Sequence, residues 1–583
     1  MFNKNVTVKE YIRRKALGLL GLIDTNIDPR SKSDRLTFVN DISEVQKNKL
    51  KEYNVWYSGD SDELINFYTR ASTIDYNTDP LYNRNKKSYF WAVSSTESDI
   101  KRTHSGQPRN IVDTLVNIVG KPHIGVGKPN DTVLGTVNDR LVEILDDNNF
   151  GKLLTQRARP LTFVEGWGAW KINWDSDFRD TPILLYYRAD AVDFIYKSNQ
   201  LVAIIYKDYY QGEKGKNYIL FETRRIEKRQ VGTSTSVSTM RVPCLIIEKE
   251  LFEIQGNSEI LKPVELKDLP QLKDVQKSLI IENFNHFLGY PCIFYEDNNE
   301  DCYGRSIFTG KIDMFDDLDQ CMSQSANTVR RSTVHEYFNS QYLEKDEHTG
   351  MPIMPKDFDR KYVMFRGMKN AEGVAGAAGP VQVTQPSLNF SQYSMEEQNI
   401  LLQIINGIMS PATLGIDIAK KDNAEAQREK EKVTIFTRNI VIEEEGHILK
   451  TIANDLLVAD ELMHKGKITC KRYDVFVKYD EFADASFEAK LETVLAGWQS
   501  GIMSDELAIE YLHKDSSKQL QERELKYVKD TKAQAEQGAM GAMPGEGGND
   551  MMGAFGALGA ENDFNTKHEH PQVSEQIGDE LND

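Results

Sequence analysis

The sequence is poor in cysteine, carries no nucleotide- or metal-binding signature, has fewer cations than acids and contains no long apolar run. Its five cysteines, Cys244, Cys292, Cys302, Cys321 and Cys470, are dispersed and form no CxxC pair. Neither a disulfide framework nor a thiolate zinc site is encoded, and a reducing compartment is expected. No GxxxxGK[ST] occurs, which argues against a P-loop ATPase. Gly125-Val126-Gly127-Lys128 runs into Pro129 where a phosphate-binding helix would have to begin, so it reads as a turn. HExxH, GxSxG and EF-hand patterns are missing, and the ten histidines do not fall at metal-ligand spacing from acids. His335 and His447 read as solvated or core-edge residues of helices. No metal and no cofactor are expected. The segment ALGLLGLI at 16–23, behind Arg13-Arg14-Lys15, is too short to span a bilayer and reads as an amphipathic or buried helix rather than a signal peptide. Nothing else approaches 18 consecutive apolar residues, so a soluble protein with no membrane association is expected. The 71 basic residues are outnumbered by 89 acidic ones, a formal charge of −18. That balance opposes a tight, static grip on nucleic acid by counterion release, but permits a surface past which a polyanion slides.

What is present is enough for a globular chain of several units. Hydrophobic residues make up 40% and charged residues 27% of 583 positions, which places most of the chain among folded proteins. At roughly 150 residues per domain, about three to five units are expected. In WYSGDSDELINFYTR (56–70), Asp60-Ser61-Asp62 is a helix-start signal. RNIVDTLVNIVG (109–120) places Ile111, Val112, Leu115, Ile118 and Val119 on one helical face and is stopped by Gly120. A further helix is expected from Asp131 to Leu145. From 163 the texture turns to small, aromatic and β-branched residues. Two β-prone runs flank Lys197-Ser198-Asn199 as a hairpin, and YILFETRRIEKRQ and CLIIEKELFEI read as further strands of an antiparallel sheet.

The second half is dominated by helical spacing. Ile312, Phe315, Leu318, Met322, Ser325, Val329 and Tyr337 recur every three or four residues, predicting one helix from 312 to 338, about 39 Å long at 1.5 Å per residue. Residues 340–390 break the pattern with four prolines, a strand-like KYVMFRG and the loose AEGVAGAAGP. A helix over 394–409 follows, then the polar LGIDIAKKDN (414–423), then the longest helix, from Ala424 to about His464. Its apolar line is Val433, Phe436, Ile440, Ile448, Ile452 and Leu456. A strand-like YDVFVKYDEF (473–482) precedes two shorter helices, 485–499 and 504–513, with Gly501 between them. Within 538–560, Gly, Ala and Met fill 17 of 23 positions with no Lys or Arg, so residues 531–583 read as a disordered acidic tail.

Three clusters invite chemistry. Asp313, Asp316, Asp317 and Asp319 could hold two metals in a nuclease, but acids at a helix start also offset the helix dipole, and that is the expected role. Glu443-Glu444-Glu445 reads as a solvated run, since consecutive helical positions fan around the axis. Trp167, Trp170 and Trp174 could stack bases, but in a strand-rich stretch with Phe163 and Ile172 they are expected in the core.

The order of pieces in the chain resembles the portal proteins of tailed bacteriophages, of the siphophage type. The pieces are WYSGDSDEL, then EGWGAWKINWD ahead of a sheet, GRSIFTGKIDMFDDLDQCMSQSANTVRR, MSPATLGID with KDNAEAQREKEK, and FADASFEAKLETVLAGWQSGIMSDELAIEYL. Together they touch about two thirds of the chain. The stretch before residue 56 and the Gly/Met-rich tail have no counterpart in that pattern. The resemblance implies an α+β, portal-like fold with long stem helices, a β-containing wing and clip, and a helical crown. It implies a ring of usually about twelve subunits with no catalysis of its own. Residues 1–310 would be the wing, 311–339 and 391–409 the two stem helices, and 340–390 the clip. Segment 410–423 would be the tunnel loop, 424–483 the long helix and wing return, and 484–530 the crown.

By that analogy Lys420, Lys421, Asp422 and Asn423 would approach DNA from the tunnel loop, and Arg330 and Arg331 from the stem. Lys356, Arg360 and Lys361 would meet DNA or the terminase from the clip. Double-stranded DNA would pass without sequence specificity. Other implied partners are further copies of the chain, the large terminase, the major capsid and scaffolding proteins, and head–tail adaptor proteins. The implied location is the portal vertex of the virion, after assembly in the host cytoplasm. The rival expectation is a metal-dependent DNA-processing nuclease using the acids at 313–319.

Overall fold

The computed structural model describes residues 6–7, 15, 37–39, 44–73, 88–92, 100–127, 132–197, 200–212, 215–231, 240–255, 260–296, 303–332, 334–339, 343–353, 360–365, 381–384, 390–416, 431–466, 472–480, 494–495, 497–498, 503–512 and 523–530. The segments 16–23, 417–430 and 531–583, about which the sequence makes explicit expectations, lie outside them. The chain forms two compact units, Met1–Ala483 and Asp484–Asp583. It is a mixed helix-and-sheet protein, consistent with an α+β class. No helix among the described residues is long and apolar enough to cross a membrane.

In the first unit, strands β1 (Val6–Thr7) and β2 (Thr37–Val39) precede helices α1 (Glu44–Ser58) and α2 (Ser61–Thr73). Asp60 opens α2 as the start signal requires, its Oδ1 accepting from the Asp62 amide at 2.8 Å. Helix α3 (Gln107–Val119) buries Ile111, Val112, Leu115 and Val119 and ends at Gly120, whose φ of 75° only glycine adopts readily. Strand β3 (Pro122–Val126) and helix α4 (Thr132–Asp147) follow. Helix α5 (Phe150–Leu153) then runs through a π turn (Leu154–Ala158) into α6 (Arg159–Glu165). The strand texture expected from 163 therefore begins later: Phe163 to Glu165 still belong to α6, and β4 is Trp167–Asn173. Gly166 separates them, and a Cβ there would stand 2.5 Å from the backbone oxygen of Gly304, so two glycines make a backbone crossing that side chains would forbid. Trp167 and Trp170 are buried, as expected of core residues.

Strands β5 (Ile183–Arg188), β6 (Val192–Lys197), β7 (Gln200–Gln211), β8 (Asn217–Val231), β9 (Met240–Gln255), β10 (Ile260–Val264), β11 (Ser278–Glu282) and β12 (Gly289–Ile293) complete the antiparallel region. The larger sheet has the order β1-β10-β9-β8-β7-β6-β2 with β11 on β9, and a smaller one has the order β12-β4-β5. A buried ionic bolt joins the two. Arg224 of β8 donates to the Ile172 carbonyl (2.8 Å) and the Leu288 carbonyl, and Glu222 accepts from Arg224 (2.8 Å) and Lys171 of β4 (3.1 Å).

Helix α7 is Ile312–Arg331, about 30 Å long, not the 312–338 rod that the spacing predicts. Val334–Asn339 is strand β13, which lies parallel to β14 (Arg360–Phe365) and antiparallel to β15 (Val381–Thr384). The β-prone Val334, Tyr337 and Phe338 suit a strand that finds ladder partners on both sides. His335 is accordingly a strand residue, and the insert between the helices begins at 334 rather than 340. Helix α8 (Phe390–Ile405) returns antiparallel to α7, since Lys311 Nζ reaches the carbonyls of Gln403 (2.9 Å) and Asn406 (3.2 Å) while Thr328 meets the Tyr393 hydroxyl at 3.5 Å. The long helix α9 spans Lys432–Lys465 and ends at Gly466, and β16 (Val475–Tyr479) pairs with β3.

The second unit contains α10 (Asp505–Leu512), which buries Ala508 and Ile509, with Trp498 donating to Asp505 Oδ1 at 2.7 Å. The expected helix at 485–499 lies mostly outside the described residues.

Candidate functional site

The feature that stands apart chemically is the α7–α8 hairpin. At about 100° per residue, Asp313, Asp317, Gln320, Gln324 and Asn327 fall within roughly 80° of the α7 circumference. Asp313 and Asp317 are exposed and the three amides half-buried. Most of the remaining circumference over the same turns is packed: Phe315, Leu318, Asp319 and Ser323 are buried. Between 313 and 327 the strip carries carboxylates and amides but no Lys or Arg. Position 331 continues the line, whereas position 330 lies about 100° away from it. Arg330 is exposed, and its guanidinium donates to Asn327 Oδ1 at 3.5 Å. The strip borders an acidic edge of α8. Burial, then the nearby charges of Asp313 and Glu396, push the Asp317 carboxyl above its ordinary range, and burial does the same to Glu397.

The other acids of the cluster have a different employment. Asp316 and Asp319 are buried at 4% and 0% exposure. Asp316 accepts the amides of Phe90 (2.8 Å) and Trp91 (3.4 Å). Asp319 accepts from Trp91 Nε1 (3.1 Å) and the Ser105 amide (2.8 Å) and pairs with His104 Nδ1 (2.7 Å). Tyr89 donates to Asp313. Burial pushes the Asp316 carboxyl up to about 7, with the neighbouring charges of Asp319 and Asp317 adding to the shift against the two amide donors. The dipole-compensation reading is thus corrected for Asp316 and Asp319: they clasp the segments around 90 and 104 to α7. The nuclease expectation loses the same two residues, and among the described residues no group of three or more His, Cys, Asp or Glu is arranged to hold a metal ion.

The base of the expected tunnel loop is pinned on both sides. The Ser410 amide donates to Thr434 Oγ1 (2.8 Å), the Thr413 and Thr434 hydroxyls meet at 2.7 Å, and the Thr437 hydroxyl donates to the Ile408 carbonyl (2.7 Å). These bonds tie the described segment 408–413 to the start of α9. Lys420, Lys421, Asp422 and Asn423 themselves lie outside the described residues, as does Lys356. Arg360 and Lys361 pair through β14 with Val334 and His335. Of the described ones, Arg330 and Arg331 end α7 and Arg360 and Lys361 open β14.

Helix α9 is riveted to the rest of the unit by residues the sequence did not single out. Arg159 of α6 pairs with Glu445 (2.7 Å) and donates to the carbonyls of Val116 (3.2 Å) and Gly120 (2.7 Å). The Tyr479 hydroxyl also donates to Glu445 (2.8 Å). Glu445, read as part of a solvated run, is 2% exposed, whereas Glu443 and Glu444 are exposed as expected. Arg438 donates to the Ile118 carbonyl at 2.9 Å and to that of Asp480. The expected apolar line of α9 divides: Ile452 and Leu456 are buried, while Val433, Phe436 and Ile440 remain 41%, 58% and 44% exposed. Helix α8 likewise exposes Met395 and Leu402.

No family model matches the sequence. No curated protein matches it either. Among solved structures, the chain overlaps one from the "Neck of empty GTA particle computed with C6 symmetry" at 12% identity, covering 73% of this chain and 95% of that one, with a TM-score of 0.32. It overlaps one from the "Neck of native GTA particle computed with C12 symmetry" at 12% identity, covering 69% and 98%, with a TM-score of 0.27. Both scores lie below that of a shared fold.

Proposed function

We propose that this chain is the subunit of a phage-type portal ring, a channel through which double-stranded DNA enters and leaves a capsid. The observation that carries the reading is the strip of carboxylates and amides on α7 of the α7–α8 hairpin, with no Lys or Arg between 313 and 327. A wall past which DNA slides must not hold phosphates, because each lasting contact adds to the barrier for the next step. The 313–327 strip meets that requirement, and one cation per subunit at position 331 would add a narrow positive belt. The exposed apolar side chains on α8 and α9 need a partner, and copies of the same chain supply one.

In this reading the α7–α8 hairpin is the stem and the mixed sheet of β13, β14 and β15 belongs to the clip. Segment 410–423 is the tunnel loop, its described start held at Ser410 and Thr413, residues 424–483 are the long helix and wing return, and residues 1–310 are the wing. Residues 484–530 are the crown. The large terminase, head–tail adaptors, and the major capsid and scaffolding proteins are the partners of the outer surfaces, with assembly in the host cytoplasm and residence at the portal vertex.

Native mass measurement and axial images of the purified protein test the reading. Closed rings with a central hole are expected, and monomers or open filaments under every ionic condition would defeat it. The loop has its own test. Lys420→Glu with Lys421→Glu is expected to leave rings intact but impair DNA packaging or retention; normal packaging by that variant would remove the loop's role.

A further inference from the structure

Acids outnumber cations in this chain by 89 to 71, yet none of them lies between Lys228 and Ile247. That stretch contains the end of β8 and the start of β9. Strand β7 leaves β8 at the pair Ala203–Arg225, and β11 leaves β9 at the pair Glu282–Cys244. The Phe284 amide still donates to the Pro243 carbonyl at 2.9 Å. Past that point Arg229–Val242, Gln230–Arg241 and Val231–Met240 pair as a two-stranded ribbon, with no third strand beside them among the described residues. Side chains alternate along a strand, and directly opposite residues share a face. Lys228, opposite Pro243, and Arg241, opposite Gln230, therefore lie diagonally on one face, and Arg229 lies on the other. All three cations are exposed. Glu227 stands 3.6 Å from Arg229 but is shared with Arg225 at 2.6 Å. Lys228 and Arg241 have no carboxylate at ion-pair distance among the described residues.

We infer that Lys228, Arg229 and Arg241 form a weak contact site for the phosphate backbone of double-stranded DNA, on strands rather than on the α7 strip. The inference rests on the ring reading above only in taking DNA as the polyanion at hand. A two-stranded ribbon is narrow enough for the major groove, where a phosphate backbone runs along each side. Cations on both faces of the ribbon then both find phosphates, whereas a flat acidic protein surface would meet one face alone. That distribution favours DNA over an acidic protein. With about three phosphates engaged, affinity falls with about the 2.7th power of salt concentration, a loss of about 40-fold between 50 and 200 mM. A contact this small suits a chain of charge −18, because a local positive field outweighs the general repulsion only at short range.

The probe is relaxed closed-circular DNA, which has no end to thread through a ring, and the readout is its electrophoretic retardation by the full chain. The unsubstituted protein is expected to retard the circles at 50 mM salt and to lose about 40-fold in affinity by 200 mM. The variant Lys228→Gln/Arg229→Gln/Arg241→Gln is expected to lose at least about ten-fold at the lower salt, with its native mass and circular-dichroism melting unchanged. Circles left free by the unsubstituted protein at 50 mM salt, or retarded equally by the variant, would overturn the site. Polyglutamate bound through the three cations in preference to the circles would overturn the DNA assignment in favour of an acidic protein. If the triple variant does not fold, Lys228→Gln/Arg241→Gln keeps Arg229 beside Glu227 and is expected to lower the salt exponent from about 2.7 to about 0.9. An unchanged exponent overturns the site. Ribbon-dependent retardation by a protein that never forms rings would sink the ring reading and leave this contact standing; rings without such retardation would do the reverse.

Discussion

Helix α9 is one continuous rod whose two halves live differently. In its C-terminal half Leu449, Ile452, Leu456 and Leu457 are buried, together with Ala453 and Ala459. In its N-terminal half the residues that continue the same apolar line, Val433, Phe436 and Ile440, stay exposed, while polar Thr434, Thr437, Arg438 and Glu445 are buried. Hydrophobicity alone would have reversed the second arrangement. What decides it is partner supply: each buried polar group in this half has a carbonyl, hydroxyl or opposite charge waiting for it, whereas Val433, Phe436 and Ile440 stay exposed among the described residues. The contrast separates a half made for folding from a half available for assembly.

The strongest way to break the folding side is to remove one member of its buried ion pair. Arg159→Met is expected to cost about 4 kcal/mol, because Glu445 is left buried with only Tyr479 to hydrogen-bond it and the carbonyls of Val116 and Gly120 lose their donor. Chemical unfolding in dilute solution measures this, and a loss below 1 kcal/mol would mean the pair is not a rivet. Next in size is a paired substitution along the apolar line. Leu456→Ala should cost about 3 kcal/mol through a cavity, whereas Phe436→Ala should change the stability of the dilute chain by less than about 0.5 kcal/mol. Equal costs would show that the two halves do not differ.

A smaller effect sharpens the same contrast on α7, where Asp316 is clasped and Asp317 faces outward. A carboxyl whose folded value is raised to about 7 binds its proton more tightly in the folded state than in the unfolded chain, where it titrates near 4. The stability it contributes is therefore fully present below about pH 4 and is lost as pH rises through about 7. Between pH 5 and 8 the unfolding free energy should fall by about 2 kcal/mol more in the unsubstituted protein than in Asp316→Asn. The same comparison with Asp317→Asn should show a much smaller difference in slope. Parallel pH profiles for unsubstituted protein and Asp316→Asn would refute the account of the clasp.

Much of the fold could be read from residues alone. The helix over 109–120, the start at Asp60 and the hairpin around 197–200 follow from local rules, and the buried tryptophans from their β-rich setting. The errors share one cause. Val334–Asn339 keeps helical spacing with the residues before it, yet it becomes a strand because β14 and β15, distant in sequence, complete its ladder. Asp316 and Asp319 read as acids offsetting the helix dipole and Glu445 as part of a solvated run, yet each is buried because donors more than 200 residues away in the chain converge on it. The candidate site divides the same way. Arg330 and Arg331 could be named from the sequence, but the strip of Asp313, Asp317, Gln320, Gln324 and Asn327 became visible only once the other sides of α7 were covered.

Composition and short-range patterning by themselves determined that this is an acidic α+β chain with several long amphipathic helices and no nucleotide- or metal-binding motif. Periodicity states which residues share a helical face, because 3.6 residues per turn is a property of the backbone. Tertiary structure alone decided which of those faces is buried, which carboxylates are clasped and which apolar strips are left over. Burial is a contest among all the surfaces that long-range packing brings together, and no local stretch of sequence records who the competitors are.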